Sequence, residues 1–288
     1  MDKYQDMSNH QAMYDAVVRA RQDERRAADS VLSVVEERVV RGSTDRKTAF
    51  FMYPKKGGGS MNASPDPNSF GLPVGRDGSC GGNATDWCVS VCYADPWYPA
   101  VRDLLDANWV EYQKRKRSVQ RLVDMLMPVV GESAGRAVKR GVPHVFRWFW
   151  AGDVPGRNFA KAIRRVAGFY YESKFWLYTR NFDAVPELWA PNVTVYLSVD
   201  RDNVDAALNC KKNNPWVRLA FCGDTWDETE GLAARFDGER KGPRCPELVG
   251  KLPMVVWGNG GTGHGACVEC DMCINGINNV RFAAQKGI

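Results

Sequence analysis

Along the chain, short continuous apolar runs alternate with longer stretches in which apolar residues recur every three or four positions. Residues 1 to about 50 are polar, with Val17, Val31, Val34, Val35 and Val39 at helical spacing among Arg and Glu, which predicts one or two surface helices. KKGGGSMNASPDPNSFGLPVGRDGS follows and predicts a long loop, because Gly, Pro, Ser and Asn at that density cannot sustain a helix. A helical pattern then runs from about 98 to 128, with a break expected near Pro128 and a further turn to 140. HVFRWFWAGDV reads as a buried strand and Arg157 to Tyr171 as a helix, followed by strand KFWLYTR, a short DAVPELW segment and strand NVTVYLSVD. Asn203 to Lys211 is helical in pattern, WVRLAFCGD a strand, Thr225 to Phe236 a helix, and PMVVWG a last strand.

Strands joined by helices pair in parallel, since parallel neighbours need a long crossover, so the expected class is α/β. In such folds ligands bind beyond the carboxyl ends of the strands, whether the sheet is open or barrel-like. Polar residues recur at those ends: Gly152 and Asp153, Thr179 and Arg180, Ser198 and Asp200, Gly223 and Asp224. The expected organisation is a helical extension over 1–50, a main body over 51–258 with a cysteine loop at 80–92, and a cysteine-rich segment over 259–288.

Composition narrows the class. Of 288 residues, 44% are hydrophobic and 25% charged, which excludes a disordered or collagenous chain. No apolar run approaches the roughly 20 residues of a membrane span, and the amino terminus lacks the basic-then-apolar order of a secretory signal, so a cytoplasmic protein without membrane partners is expected. A net charge of +5 is a mild preference for polyanions. The basic run from Lys114 to Arg121 could meet phosphates, although such runs are more often solvated helix faces. Neither a hydrolase nucleophile elbow nor a helical metal-binding His pair is present.

Nine cysteines without a secretory signal point to metal ligation or catalysis rather than disulfides. Six of them form two groups, Cys80, Cys88 and Cys92 in CGGNATDWCVSVCYA, and Cys267, Cys270 and Cys273 in CVECDMC. Three thiolates can hold three irons of a cubane and leave the fourth open, whereas zinc wants a fourth ligand and CxxC spacing that the first loop lacks. CxxCxxC is the spacing of ferredoxin-like loops, where a distant cysteine completes the cluster. Cys245 in KGPRCPEL is the first choice for that fourth ligand, with Cys210, Cys222 or His264 as substitutes. A structural zinc is the alternative occupant of this second site.

The CxxxxxxxCxxxCYA loop after FGLPVG, with RWFWAGDV, FWLYTR and VYLSVD downstream, resembles a phage-encoded family of radical S-adenosylmethionine-like proteins, similar in plan to the radical S-adenosylmethionine enzymes. The resemblance covers residues 69 to 282 and implies a partial (β/α)6 barrel of the TIM type with parallel strands, extended by the amino-terminal helices and a carboxyl-terminal cysteine-rich metal knuckle. It implies that Cys80, Cys88 and Cys92 hold a 4Fe-4S cluster, that Tyr93 contacts adenine, that Gly152 and Asp153 meet the methionine amino group, and that Ser198 and Asp200 contact ribose or carboxylate. The usual spacing is CxxxCxxC, so the longer loop is a departure that bears on cluster geometry. The implied activity is generation of a 5′-deoxyadenosyl radical for hydrogen abstraction, with flavodoxin or ferredoxin as electron donor, in the cytoplasm of an infected bacterium. By analogy the substrate is a nucleobase or nucleoside, in DNA modification or repair. Trp148, Trp150, Trp176, Tyr178 and Tyr196 would line the barrel or simply pack its core. The competing class is a nucleic-acid-binding protein stabilised by zinc or iron–sulfur groups, without catalysis.

Overall fold

A computed structural model of the chain describes residues 39–53, 62–63, 66–95, 98–257 and 263–284. Of the helical extension expected over residues 1–50, residues 1–38 lie outside the described residues, and residues 39–50 hold only a single turn at Arg46–Thr48 instead of a helix. The body contains, in chain order, β1 (Met52–Tyr53), β2 (Asn62–Ala63), β3 (Ser69–Phe70), α1 (Asp86–Ser90), α2 (Tyr98–Arg115), α3 (Val119–Arg140), β4 (Val145–Trp148), α4 (Arg157–Phe169), β5 (Lys174–Thr179), β6 (Val193–Val199), α5 (Val204–Asn213), β7 (Arg218–Gly223), α6 (Trp226–Ala234), β8 (Val255–Trp257), β9 (Gly263–Gly265), α7 (Ala266–Cys270) and β10 (Val280–Ala283).

Six strands form one all-parallel sheet in the order β3-β4-β5-β6-β7-β10, so that neighbours in the sheet follow one another along the chain. The sheet is open, with β3 and β10 at its edges, and closure into a barrel is not seen. Alternation along the strands divides its residues between two faces. Phe70, Phe146, Trp148, Phe175, Leu177, Leu197, Leu219 and Phe221 pack into the main core with α3 and α4. The other face, called inner here, carries Arg147, Trp176, Tyr178, Tyr196 and Ala220. Residues 39–50 join this body: Val40 is buried in the main core and Ser43 bridges Ser69.

Helix α3 shows how the helical layer is specified. Ser118 caps it by accepting the Arg121 N–H, and Leu122, Val123, Met125, Leu126, Val129 and Val130 are buried on one side. Each such side chain contributes about 1.5–3 kcal/mol on leaving water. The helical break expected at Pro128 lies instead at residues 116–118, and Pro128 sits inside α3. The cap at Ser118 starts a new helix, whereas proline deletes one hydrogen bond, a loss that the buried face outweighs.

PMVVWG supplies β8, but not the last parallel strand. It pairs antiparallel with β9 in a second sheet of order β2-β1-β9-β8, with Val256 opposite His264. The two remaining parallel strands are β3, inside the stretch expected to be a loop, and β10; the hydrophobic pattern singled out neither. Part of the glycine-rich run before Cys267 is strand β9, and it feeds directly into α7.

Candidate functional site

The first cysteine loop lies across the carboxyl ends of β6 and β7. Thr85 caps α1 by accepting the Cys88 N–H at 3.0 Å while its own hydroxyl donates to Asp200 Oδ2 at 2.8 Å. Trp87 donates its backbone N–H to Asp202 Oδ2 and its indole N–H to Asp224 Oδ1, both at 2.9 Å. Asp200, fully buried, also accepts from Arg180 Nε at 3.2 Å and from the Asp202 N–H. Helix and rim therefore lock together through carboxylates, and the expected recurrence of polar residues at the strand ends proves to be the anchor of the loop.

This anchoring gathers Cys80, Cys88 and Cys92 within electrostatic reach of one another. Burial, reinforced by Asp153, pushes the Cys80 thiol up to about 12. Burial also raises Cys88, against the opposing charge of Arg180. A buried cluster of neutral thiols becomes a ligand set when a metal takes the place of the protons. Among the described residues no three Cys, His, Asp or Glu groups converge on a single ion position. All nine cysteines are free thiols.

Tyr93, expected to contact adenine, keeps 62% of its surface exposed at the rim. Its hydroxyl turns inward, donating to the Trp150 carbonyl and accepting from Arg147 at 3.3 Å. Gly152 has φ +79°, and a Cβ there would lie 2.3 Å from Ser79 Oγ and 2.6 Å from the Leu72 carbonyl oxygen, so only glycine lets the turn close on the loop's approach. Asp153 is buried and accepts the Val154 N–H at 2.6 Å and the Arg180 N–H at 2.8 Å; burial raises its pKa against these hydrogen bonds. A carboxylate has about four lone-pair positions, so acceptor capacity is left over. Ser198 is buried beside the rim, where its carbonyl accepts from Asn203.

Two rim residues escaped the sequence reading. Arg180 was noted only as a strand-end residue, yet its buried guanidinium stands among Cys222, Cys88 and Asp200. Cys222, considered only for the second site, lies by the first: it is within electrostatic reach of Arg180 and Cys88, and its thiol donates to the Ala220 carbonyl at 3.5 Å. Its place at the end of β7, beside Gly223 and Asp224, was the available signal.

The second group assembles elsewhere on the inner face. Cys245, Cys270 and Cys273 pack around Tyr196, Ala220, Met272 and Val280, and Cys267 joins Cys273 beside Val145, Trp176 and Ile274. Cys245 is thus brought to the CVECDMC thiols across the sequence, whereas Cys210 lies in the helix-side core. His264 instead contacts Glu269 at 2.7 Å. Of the aromatics, Trp176, Tyr178 and Tyr196 face this group, Trp148 belongs to the helix-side core, and Trp150 packs with Leu105 and Cys92. The basic run is partly neutralised, since Glu111 pairs with both Lys114 and Arg115.

Between the two groups stands Arg147. It is held by Asp45 at 2.7 Å, lies 5.0 Å over the Trp176 ring, and reaches Tyr93 on one side and the field of Cys267 on the other.

Among the described residues no helix is long and apolar enough to cross a membrane. No solved structure matches the chain. It is 31% identical to the Gene 88 protein of Mycobacterium phage D29 and 30% identical to that of Mycobacterium phage L5, in each case over 250 residues, 85% of this chain and 97% of the relative. The family model described as Gene product 88 matches residues 38–276, a span that takes in the whole parallel sheet except β10 and both cysteine groups. The chain therefore belongs to the Gene product 88 family of bacteriophage proteins.

Proposed function

We propose that the protein is an iron–sulfur enzyme of the radical S-adenosylmethionine type, with Cys80, Cys88 and Cys92 as the ligands of its catalytic cluster. The observation that carries this reading is that one loop, pinned over the carboxyl rim of a parallel sheet by Thr85 and Trp87, keeps three thiols within electrostatic reach of one another. The donor set suits a 4Fe-4S group with one iron free of protein ligands. The sequential strand order supports the finer description of the sheet as the wall of a partial (β/α)6 barrel.

Bound there, the cluster and S-adenosylmethionine would supply a 5′-deoxyadenosyl radical by one-electron cleavage of the sulfonium. The chain's own work is to bind and orient. Tyr93 offers an exposed ring for adenine, and the Gly152 turn brings backbone beside the loop where a methionine amino group would sit. Arg180, whose charge acts on Cys88, would neutralise a carboxylate, and Ser198 and Asp200 at the end of β6 are the candidates for ribose or carboxylate contacts. A nucleobase or nucleoside, alone or in DNA, suits the mild positive charge and the bacteriophage family, and flavodoxin or ferredoxin is the matching donor class.

One observation favours a second reading. Cys222 beside Cys88 could close the site as a fourth thiol, giving a metal-stabilised nucleic-acid-binding protein without catalysis. The test is S-adenosylmethionine cleavage by reconstituted, reduced protein. Wild type and Cys222→Ser should form 5′-deoxyadenosine and Cys88→Ala, still folded, should form none. Loss of the first cluster in Cys222→Ser would establish the closed site and overturn the proposal.

A further inference from the structure

We infer that Cys245, Cys267, Cys270 and Cys273 hold a second iron–sulfur cluster, tuned by the Tyr178 hydroxyl. This inference stands apart from the reading of the first loop and concerns different residues.

The knuckle carrying these thiols is fastened to the inner face of the sheet at alternate carbonyls. Thr194 Oγ1 donates to the Ile274 carbonyl at 3.1 Å, Arg218 Nε to that of Gly276 at 2.6 Å, and the Tyr196 hydroxyl to that of Asn278 at 2.8 Å. At the other end Gly265 seats α7 against the body: its N–H donates to the Ala49 carbonyl at 2.8 Å, and a Cβ would lie 2.3 Å from the carbonyl oxygens of Arg46 and Lys47. Cys245 is fixed independently, its N–H donating to the Arg281 carbonyl in β10 at 3.0 Å. Four thiols from two remote segments are thus positioned by hydrogen bonds made elsewhere in those segments.

The ligand set favours a cubane over zinc. CVECDMC contributes three thiols at CxxCxxC spacing and the remote one is followed by Pro246, the arrangement by which ferredoxin-type loops wrap a cubane with three cysteines and complete it with a distant Cys-Pro. Structural zinc sites usually draw their ligands in CxxC pairs, and Cys245 has no such partner. The surroundings suit a negatively charged cluster: Arg147 and Lys47 lie in the field of Cys267, and Tyr178 packs in one cluster with Cys267 and Cys273, its hydroxyl within reach of the Cys273 sulfur. Hydrogen bonds to cluster sulfurs raise the reduction potential.

The test uses the full chain with Cys80→Ser, Cys88→Ser and Cys92→Ser combined, loaded anaerobically with ferrous iron and sulfide. About four iron and four sulfide per chain are expected, with a reducible chromophore. Adding Cys245→Ser should reduce both counts severely. Because that variant could also lose its fold, Tyr178→Phe is measured in parallel: its iron content should match the parent while its midpoint potential falls. Zinc without iron in the first-loop variant, iron content indifferent to Cys245→Ser, or an unshifted potential in Tyr178→Phe would each overturn the inference. Failure of the first-loop reading alone would leave these counts unchanged.

Discussion

Replacing Arg147 with methionine keeps an unbranched apolar stem and removes the charge from between the two cysteine groups. Arg147 and Asp45 are 12% and 10% exposed, and their ion pair spans 2.7 Å, so solvent screens it little. Leaving one partner of a buried pair uncompensated costs about 3–5 kcal/mol, whereas removing both charges costs far less. Arg147→Met should therefore destabilise the metal-free protein by about 3–5 kcal/mol in urea unfolding, and Asp45→Asn added to it should restore all but about 1 kcal/mol. The second substitution keeps the cap of the turn at Arg46–Thr48, because an amide oxygen can replace Asp45 Oδ1 in accepting the Lys47 N–H, a bond of 2.9 Å. At about 2–4 °C per kcal/mol the single variant should melt roughly 6–20 °C early. A loss below about 1 kcal/mol, or a double variant no more stable than the single one, would refute the claim that this pair is buried and mutually dependent.

Other substitutions separate conformational from packing demands. Gly152→Ala should cost about 2–5 kcal/mol by chemical denaturation, combining left-handed strain with the clash at Ser79 and Leu72, while Gly81→Ala, at φ +52° with open space around it, should cost only about 1–2 kcal/mol. Trp87→Phe removes a hydrogen bond to the Asp224 carboxylate and should cost about 1.5–3 kcal/mol, with lower iron incorporation at the first loop. The metal-free protein should lose stability as the pH rises above about 9. Cys80 and Cys273 are pushed up to about 12 and Cys222 to about 11, so between the ordinary thiol value and these values the folded state holds protons that the unfolded state releases. Thermal melts from pH 7 to 11 should show a flat region and then a fall, and a rise would contradict the burial of these thiols.

The central strands were legible because each is a short apolar run closed by a polar rim residue, and β4 to β7 appear where those runs lie. β10 was not, since VRFA follows the polar stretch Asn278–Asn279 and its partner β7 is far away in sequence. PMVVWG was visible as a strand but not as a member of the small sheet, because its partner Gly263–Gly265 has almost no side chains to betray it. At the sites, tight spacing exposed both cysteine groups, and Cys245, chosen as their remote partner, packs in the same cluster as Cys270 and Cys273. Cys222 and Arg180 depend on how strand ends meet across the sheet, which local pattern does not carry. Arg147 left one trace, a cation in the middle of an otherwise apolar strand.

Electron paramagnetic resonance of anaerobically reconstituted, reduced protein, with and without S-adenosylmethionine and with iron and zinc counted on the same sample, tests the central claim most directly. The account predicts an iron–sulfur signal that changes on adding S-adenosylmethionine and loses that response in Cys80→Ala, Cys88→Ala or Cys92→Ala. A signal indifferent to S-adenosylmethionine, or zinc in place of iron at the first loop, would contradict it.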